Sequence, residues 1–248
     1  NKEYVAVMLL GKVTDTQDTT GTVLEEHPVE VTEEQVKEAV LSFTGEYMQV
    51  PPMYSALKVN GKKLCDLARA GVTVERQARP VQIYSIEIIK MELPRVCMRV
   101  RCSKGTYIRT LCQDIGEKLS CGACMESLLR TKVSEFCVQD ALRLSEIEER
   151  VQKAAGQTPS EQWNAEMFDF IYAVDSVFLQ YKKAVICKEW NKLLYNGNRM
   201  KKDMFVSYQK DWEQQKVRIY DEEGRFIGIY EYSEIHGDYK PVKLFMEA

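Results

Sequence analysis

Apolar and polar positions alternate along this chain in two distinct periods. Tyr4-Val5-Ala6-Val7-Met8-Leu9-Leu10 is a continuous apolar run that reads as a buried strand. Val81–Glu92 and Val96–Cys102 read as two further strands, with Pro94 at the turn between them. In the second of these, Val96, Met98 and Val100 alternate with Cys97, Arg99 and Arg101, as a half-buried strand requires. Helical spacing appears where Thr32-Glu33-Glu34-Gln35 matches a capping box and opens a helix through Phe43. A short helix is expected up to Ala70, and Ile108, Leu111, Cys112, Ile115 and Leu119 place another over Tyr107–Leu119. Part of Ala123–Leu129 also reads as helix. Ser145–Thr158 is charged and reads as a surface crossing, followed by a helix near Trp163–Tyr172.

From about Val177 the pattern shortens. Lys188–Tyr195 is expected as a short helix ended by Asn196-Gly197-Asn198. Short strands follow at Met204–Tyr208, Val217–Tyr220 and Arg225–Tyr232, with Asp221-Glu222-Glu223-Gly224 as a hairpin turn. The chain therefore reads as a mixed α and β protein in two parts, 1–176 and a compact, strand-rich 177–248.

Charge sharpens this picture. The net charge of -3 argues against a nucleic-acid binder, yet the charges are segregated. Residues 1–53 hold 3 basic and 10 acidic side chains, residues 54–132 hold 15 and 7, and residues 133–176 hold 3 and 9. A basic block between acidic segments is the footprint of a phosphate-backbone partner, although folding could scatter it over several faces. No apolar run approaches the length of a membrane span. The eight cysteines lie mostly in apolar patterns, which suits reduced thiols in a cytoplasmic protein. Cys121-x-x-Cys124 lacks a second pair of matching spacing, so structural thiols are the better reading than a metal or redox site.

The centre of the basic block is Cys102-Ser103-Lys104-Gly105-Thr106-Tyr107-Ile108-Arg109-Thr110. A strand runs through Ser-Lys-Gly into a helix start, whose free N–H groups favour an anion. Lys104 adds a mobile cation there, and Tyr107 and Arg109 stand in the first turn. Those parts could hold a nucleotide; spacing alone fits equally an ordinary strand-to-helix loop with solvated charges.

In their order and spacing, several further motifs show that the chain resembles the bacterial TruB family, the tRNA pseudouridine-55 synthases. They are Lys2-Glu3-Tyr4, Leu10-Gly11-Lys12-Val13-Thr14-Asp15-Thr16-Gln17-Asp18-Thr19-Thr20-Gly21, and Pro51-Pro52-Met53-Tyr54-Ser55-Ala56-Leu57-Lys58 ahead of Gly61-Lys62-Lys63. Ala78-Arg79-Pro80, Ser103–Thr110, Gly116-Glu117-Lys118-Leu119 and Leu128-Leu129-Arg130 continue the series. Asn196-Gly197-Asn198 and Phe226-Ile227-Gly228-Ile229-Tyr230 are similar to the family's small RNA-binding PUA domain. The resemblance implies an α+β pseudouridine synthase fold, a largely antiparallel sheet with helices, over 1–176, and a β-rich PUA-like domain over 177–248.

It also implies a chemistry. Such enzymes extrude a uridine from the T loop of tRNA, cut its glycosidic bond, turn the base and rejoin it through carbon. By the family pattern Tyr4 stacks on the extruded base, near the atom that loses a proton. Tyr107 closes the pocket, Arg109 pairs with the nucleophilic aspartate, and Leu128 packs under the base. Lys58, Lys62, Lys63, Lys104 and Arg130 are the expected RNA phosphate contacts. The resemblance implies tRNA as partner, through its T stem-loop and, at the C-terminal domain, its acceptor end. It implies no cofactor, no metal, no membrane, a cytoplasmic location and a monomer when complete.

One family element is missing. The nucleophile belongs to a Gly-x-Leu-Asp-Pro-x-Ala-x-Gly segment upstream of the position of Tyr4, and these 248 residues contain no such segment. Asp15 and Asp18 fall in a different family loop and are not substitutes. The chain starts at Asn1, directly before a strand, and is expected to be an N-terminally incomplete synthase, inactive alone, with Arg109's partner carboxylate outside it. A non-catalytic tRNA-binding or folding module is the alternative. Loss of sheet neighbours is expected to expose an apolar edge around Tyr4–Leu10.

Overall fold

A computed structural model describes residues 1–155 and 168–245. They fall into two compact units, Asn1–Ala141 and Leu142–Ala248.

In the first unit β1 (Lys2–Leu10) is followed by a small hairpin, β2 (Lys12–Thr14) and β3 (Val23–Glu26). The acidic Glu25-Glu26 stretch belongs to a solvent-exposed strand in which Glu26 pairs with Lys12 at 3.0 Å. Next come α1 (Glu33–Leu41), β4 (Gly45–Gln49), the two-residue strands β5 (Lys58–Val59) and β6 (Lys62–Lys63), and α2 (Leu64–Arg69). The unit closes with β7 (Arg79–Glu92), β8 (Arg95–Cys102), α3 (Ile108–Lys118), β9 (Ala123–Val133) and β10 (Phe136–Cys137). The expected capping box is present: Thr32 Oγ1 accepts from the Gln35 backbone, and Gln35 accepts from the Thr32 backbone.

Six strands form one antiparallel sheet in the order β10-β9-β1-β8-β7-β4. The first strand lies in its middle. β1 pairs with β8 from Lys2 to Leu9 and with β9 from Lys2 to Leu10. The expected exposed edge at Tyr4–Leu10 is therefore not found, because β8 and β9 take both sets of backbone hydrogen bonds. The expected helix over Ala123–Leu129 is also overturned. Ala123, Cys124 and the leucines enter β9, since pairing along the whole of β1 offers more hydrogen bonds than an isolated helical turn. Leu128 and Leu129 consequently point to opposite faces.

Ala6, Met8 and Leu10 on β1 face a core completed by Val96, Met98 and Val100 on β8, Val36 and Val40 on α1, and Leu111 and Ile115 on α3. Each large side chain fully buried there contributes about 1.5–3 kcal/mol of transfer free energy. Gly116 lets α3 lie against the start of β9. A Cβ at that position would sit 2.2 Å from the Ala123 nitrogen and 2.4 Å from the Gly122 carbonyl carbon.

The second unit opens with α4 (Leu144–Ala155), where a charged surface crossing was expected. Ile147 and Val151, one turn apart, give the helix a narrow apolar stripe among its charges. The helix expected near Trp163–Tyr172 lies mostly outside the described residues, and 168–172 is turn and irregular. β11 (Lys182–Val185), α5 (Asn191–Tyr195), β12 (Lys216–Tyr220), β13 (Phe226–Ser233) and β14 (Asp238–Leu244) follow. The strands form a sheet in that order, β11 parallel to β12 and the rest antiparallel. The strand expected at Met204–Tyr208 is not formed. Met204 ends a single 3-10 turn and Phe205 makes one bridge to Ile186, its ring packing edge-on against Trp212 and Tyr239. Met204 and Phe205 are both buried, and beyond that single bridge the segment has no strand partner among the described residues.

Candidate active site

The strand order decides which side chains meet. Tyr4 on β1 stands opposite Arg130 on β9, and Ala6 stands opposite Leu128. Directly opposed residues share a face, so Tyr4, Leu128 and Arg130 lie together on the side that α3 covers. The chain leaves β8 at Cys102, crosses Ser103–Thr106 and enters α3 at Ile108. Thr106 Oγ1 donates to the Ser103 carbonyl at 3.1 Å, and Ser103 Oγ accepts from the Gln82 backbone at 3.1 Å. This turn aims the first residues of α3 at the same end of the sheet.

The result is a cleft of about 350 Å³ lined by Lys2, Tyr4, Gly105, Thr106, Tyr107, Ile108, Arg109 and Leu128. Tyr4 and Leu128, far from the Tyr107–Arg109 motif in sequence, are thus brought together with it. A second cleft of about 330 Å³ shares Gly105 and Tyr107 with it and adds Gln49, Leu57, Arg79 and Lys104. A third, about 280 Å³, shares Pro51, Leu57 and Arg79 with the second and adds Lys58 and Arg76. Together they make a groove along the unit, with Tyr107 as a wall between its first two parts.

Arg109 is held from three sides. Its Nη1 donates to Asp18 Oδ2 at 3.1 Å and to the Thr16 carbonyl at 3.0 Å, and its Nη2 donates to the Tyr54 carbonyl at 2.7 Å. The sequence reading leaves Arg109 without a carboxylate in this chain; Asp18 supplies one. The side chains are 23% and 17% exposed, so the pair is partly desolvated. Burial acts to raise the Asp18 carboxyl, but hydrogen bonds from Thr20 and Thr16, with Arg109 beside them, outweigh it and hold it below the usual carboxylate range. Thr110 Oγ1 donates to Gln17 Oε1 at 2.8 Å, a second tie between α3 and the same loop.

Tyr107 is fixed through its backbone. Its N–H donates to Gln49 Oε1 at 2.8 Å, and Gln49 Nε2 donates back to its carbonyl at 3.0 Å. For Tyr4, burial and then the nearby Cys102 thiol push the phenol up, while Arg130 pulls the other way.

The five expected phosphate contacts are all exposed. Lys58, Lys62 and Lys63 share the β5–β6 hairpin, whose Asn60-Gly61 turn has φ of 51° and 81°. Both turn residues are left-handed, the geometry of the two-residue hairpin for which Asn-Gly is the preferred pair. Lys104 lines the second cleft and Arg130 lies on β9. None of the five forms an ion pair among the described residues, whereas Arg95 and Arg99 are tied to Glu126 and Glu87. Sequence reasoning missed Gln49, Arg76 and Arg79, and it gave Asp18 no partner. The first three lie outside the Lys104–Thr110 motif, and only the fold brings them to the groove. Cys121 and Cys124 are free buried thiols, and burial raises both.

Comparisons with known proteins identify the family. The family model for the TruB pseudouridylate synthase N-terminal domain matches residues 1–108, and that for the tRNA pseudouridylate synthase B C-terminal domain matches 109–179. A tRNA pseudouridine synthase B of Lachnoclostridium phytofermentans is 48% identical, over 84% of this chain and 67% of its own length. One from Clostridium kluyveri is 38% identical over 99% of this chain and 78% of its own. Among solved structures, a chain of a Cbf5-Nop10-Gar1 complex superposes with a TM-score of 0.64 at 21% identity, covering 100% of this chain. This chain spans 65% of that one. At that identity the likeness speaks for the fold, and the family rests on the sequence relatives. With both family domains in succession over residues 1–179 and relatives this similar over most of their length, the chain belongs to the TruB family of pseudouridylate synthases.

Proposed function

We propose that the protein acts on tRNA, converting a T-loop uridine to pseudouridine, and that its site is the cleft between β1, β9 and the start of α3. The observation that carries this reading is the convergence of Tyr4, Tyr107, Arg109 and Leu128 on one cleft. In this reading the uridine leaves the loop's stack and enters there. Leu128 supplies an apolar floor, and the Tyr4 and Tyr107 rings give aromatic faces for the base. Tyr4, with its phenol beside Arg130, stands where a proton on the base carbon would be removed. Arg109, already oriented by Asp18 and the Tyr54 carbonyl, presents a cation to a nucleophilic carboxylate and keeps it ionised.

Lys58, Lys62, Lys63, Lys104 and Arg130 hold RNA phosphates in this reading, supported by their exposure and lack of carboxylate partners among the described residues. The second unit takes the acceptor end of the tRNA. The complete enzyme works as a cytoplasmic monomer. These 248 residues carry no Gly-x-Leu-Asp-Pro segment, so by themselves they bind the RNA without turnover.

The test uses a T stem-loop RNA. This chain is expected to bind it with steep salt dependence and to form no pseudouridine. Fusing the upstream segment of the L. phytofermentans relative ahead of Asn1 is expected to give turnover. Absence of binding overturns the RNA reading; product from the 248 residues alone overturns their inactivity; binding by the fusion with no product favours a non-catalytic module.

A further inference from the structure

Gln49 is a polar side chain only 2% exposed, at the end of the edge strand β4. It uses its whole amide. Oε1 accepts the Tyr107 N–H at 2.8 Å, and Nε2 donates both to the Tyr107 carbonyl at 3.0 Å and to the Tyr47 hydroxyl. The two bonds to Tyr107 run 58 residues along the chain and imitate a rung of β-ladder, one amide against one peptide. Tyr107 needs such a partner. It is the N-cap of α3, extended at φ -102° and ψ 110°, with no capping bond from its own side chain. Leu111 N–H reaches its carbonyl from within the helix at 3.1 Å, but the Tyr107 N–H has Gln49 as its partner. Tyr107 in turn walls off the cleft holding Tyr4 and Arg109 from the one holding Lys104 and Arg79.

We propose that Gln49 is a positioning residue: by clamping the Tyr107 peptide to the sheet edge, it sets where the Tyr107 ring stands between the two clefts. A side chain that both donates and accepts at this length is required. Glutamate in its ionised form only accepts, and methionine donates nothing and accepts only weakly. The carbonyl keeps the Leu111 N–H, but the N–H has no second partner among the described residues; leaving it unpaired in this half-buried place is costly, so the peptide would shift toward water and carry the ring with it. The consequence for RNA rests on the function proposed above; the clamp itself does not.

The experiment has two arms on the full chain, comparing wild type with Gln49→Met, Gln49→Glu and Tyr47→Phe. Hydrogen exchange of the Tyr107 amide is measured beside that of the later α3 amides. A T stem-loop RNA with 2-aminopurine next to its target uridine reports binding and extrusion. In Gln49→Met the Tyr107 amide is expected to exchange about tenfold faster, with the later turns of α3 still protected. RNA affinity falls by less than about threefold, while the extrusion signal drops by about fivefold or more. Gln49→Glu restores the protection of the N–H but not the extrusion. If Gln49→Met does not fold, Tyr47→Phe carries the test, with about a threefold change at Tyr107, because it loosens Gln49 without emptying the site. Unchanged Tyr107 exchange in a folded variant, or extrusion equal to wild type, overturns the proposal. Failure of wild type to bind the RNA overturns the function reading instead, and the exchange arm still decides for or against Gln49.

Discussion

Arg109 and Asp18 are 91 residues apart in sequence, and their guanidinium and carboxylate meet at 3.1 Å. Asp18 is itself organised by its own loop, its Oδ1 accepting from the Thr20 backbone at 3.1 Å, from Thr16 Oγ1 at 2.8 Å and from Thr20 Oγ1 at 2.5 Å. The loop after β2 thus acts as a preformed socket for the arginine of α3. Such a charge-assisted contact orients Arg109 before any substrate arrives.

This socket has a pH signature. The Asp18 carboxyl lies below its ordinary range in the folded protein. A lowered carboxyl contributes stability above its unfolded pKa of about 4, and that contribution is lost as pH falls through the folded value. Asp18→Asn is expected to flatten the loss of stability below about pH 4. Asp18→Ala, which also removes the loop's hydrogen bonds, is expected to cost about 2–3 kcal/mol at pH 7. Urea unfolding from pH 3 to 7 measures both; an Asp18→Asn profile parallel to wild type contradicts the assignment.

Asp114 on α3 has the opposite sign. Burial first, then the charge of Glu117, push its carboxyl up to about 6. A raised carboxyl favours the fold most below its unfolded pKa, and that stability is lost as pH rises through about 6. Asp114→Asn is therefore expected to stabilise the protein at pH 7–8, by about 1 kcal/mol once solvent screening is allowed for. Below about pH 4 the two proteins should unfold alike. A variant less stable than wild type at pH 8 contradicts this.

Close packing of α3 on β9 predicts the effect of one methyl group. Gly116→Ala would drive its Cβ against the Ala123 nitrogen and Gly122 carbonyl carbon, backbone atoms that cannot move aside singly. The expected loss is about 2–4 kcal/mol, read as a lower melting temperature. Because α3 carries Tyr107 and Arg109, a folded Gly116→Ala protein is also expected to bind T stem-loop RNA more weakly. Unchanged melting would show that the helix can retreat.

The β5–β6 hairpin predicts a salt effect. Each of Lys58→Ala, Lys62→Ala and Lys63→Ala is expected to lower the slope of log affinity against log salt by roughly one when that lysine meets a phosphate. Lys90, paired with Glu92 at 2.8 Å, serves as the control. Lys90→Ala should leave the slope unchanged. Equal slopes for all four variants would place the RNA elsewhere.

Local order was legible in the chain wherever one interaction range sufficed. The capping box at Thr32, the α3 stripe of Leu111 and Ile115, the β7–β8 hairpin and the Lys104–Arg109 motif are all set by residues within one or two turns of each other. The family resemblance was legible for the same reason, since it rests on short motifs in order. Ala123–Leu129 was misread as helix because its apolar residues fit a helix as well as a strand, and only pairing along all of β1 chooses between them. The helix over Leu144–Ala155 was not recognised because exposed charges mask a stripe as narrow as Ile147 and Val151.

The sequence by itself determined which residue types are available to the candidate site: two tyrosines, an arginine, a leucine and a set of lysines. Tertiary structure alone decided their neighbours. It placed β1 between β8 and β9, which sets Tyr4 on the same face as Leu128, and it closed the Asp18 loop onto Arg109 and the Gln49 amide onto Tyr107. The physical reason is that these partners are separated by 58 to 91 residues or more. At such distances no local period records a contact, and burial and hydrogen-bond satisfaction across the whole sheet must choose it.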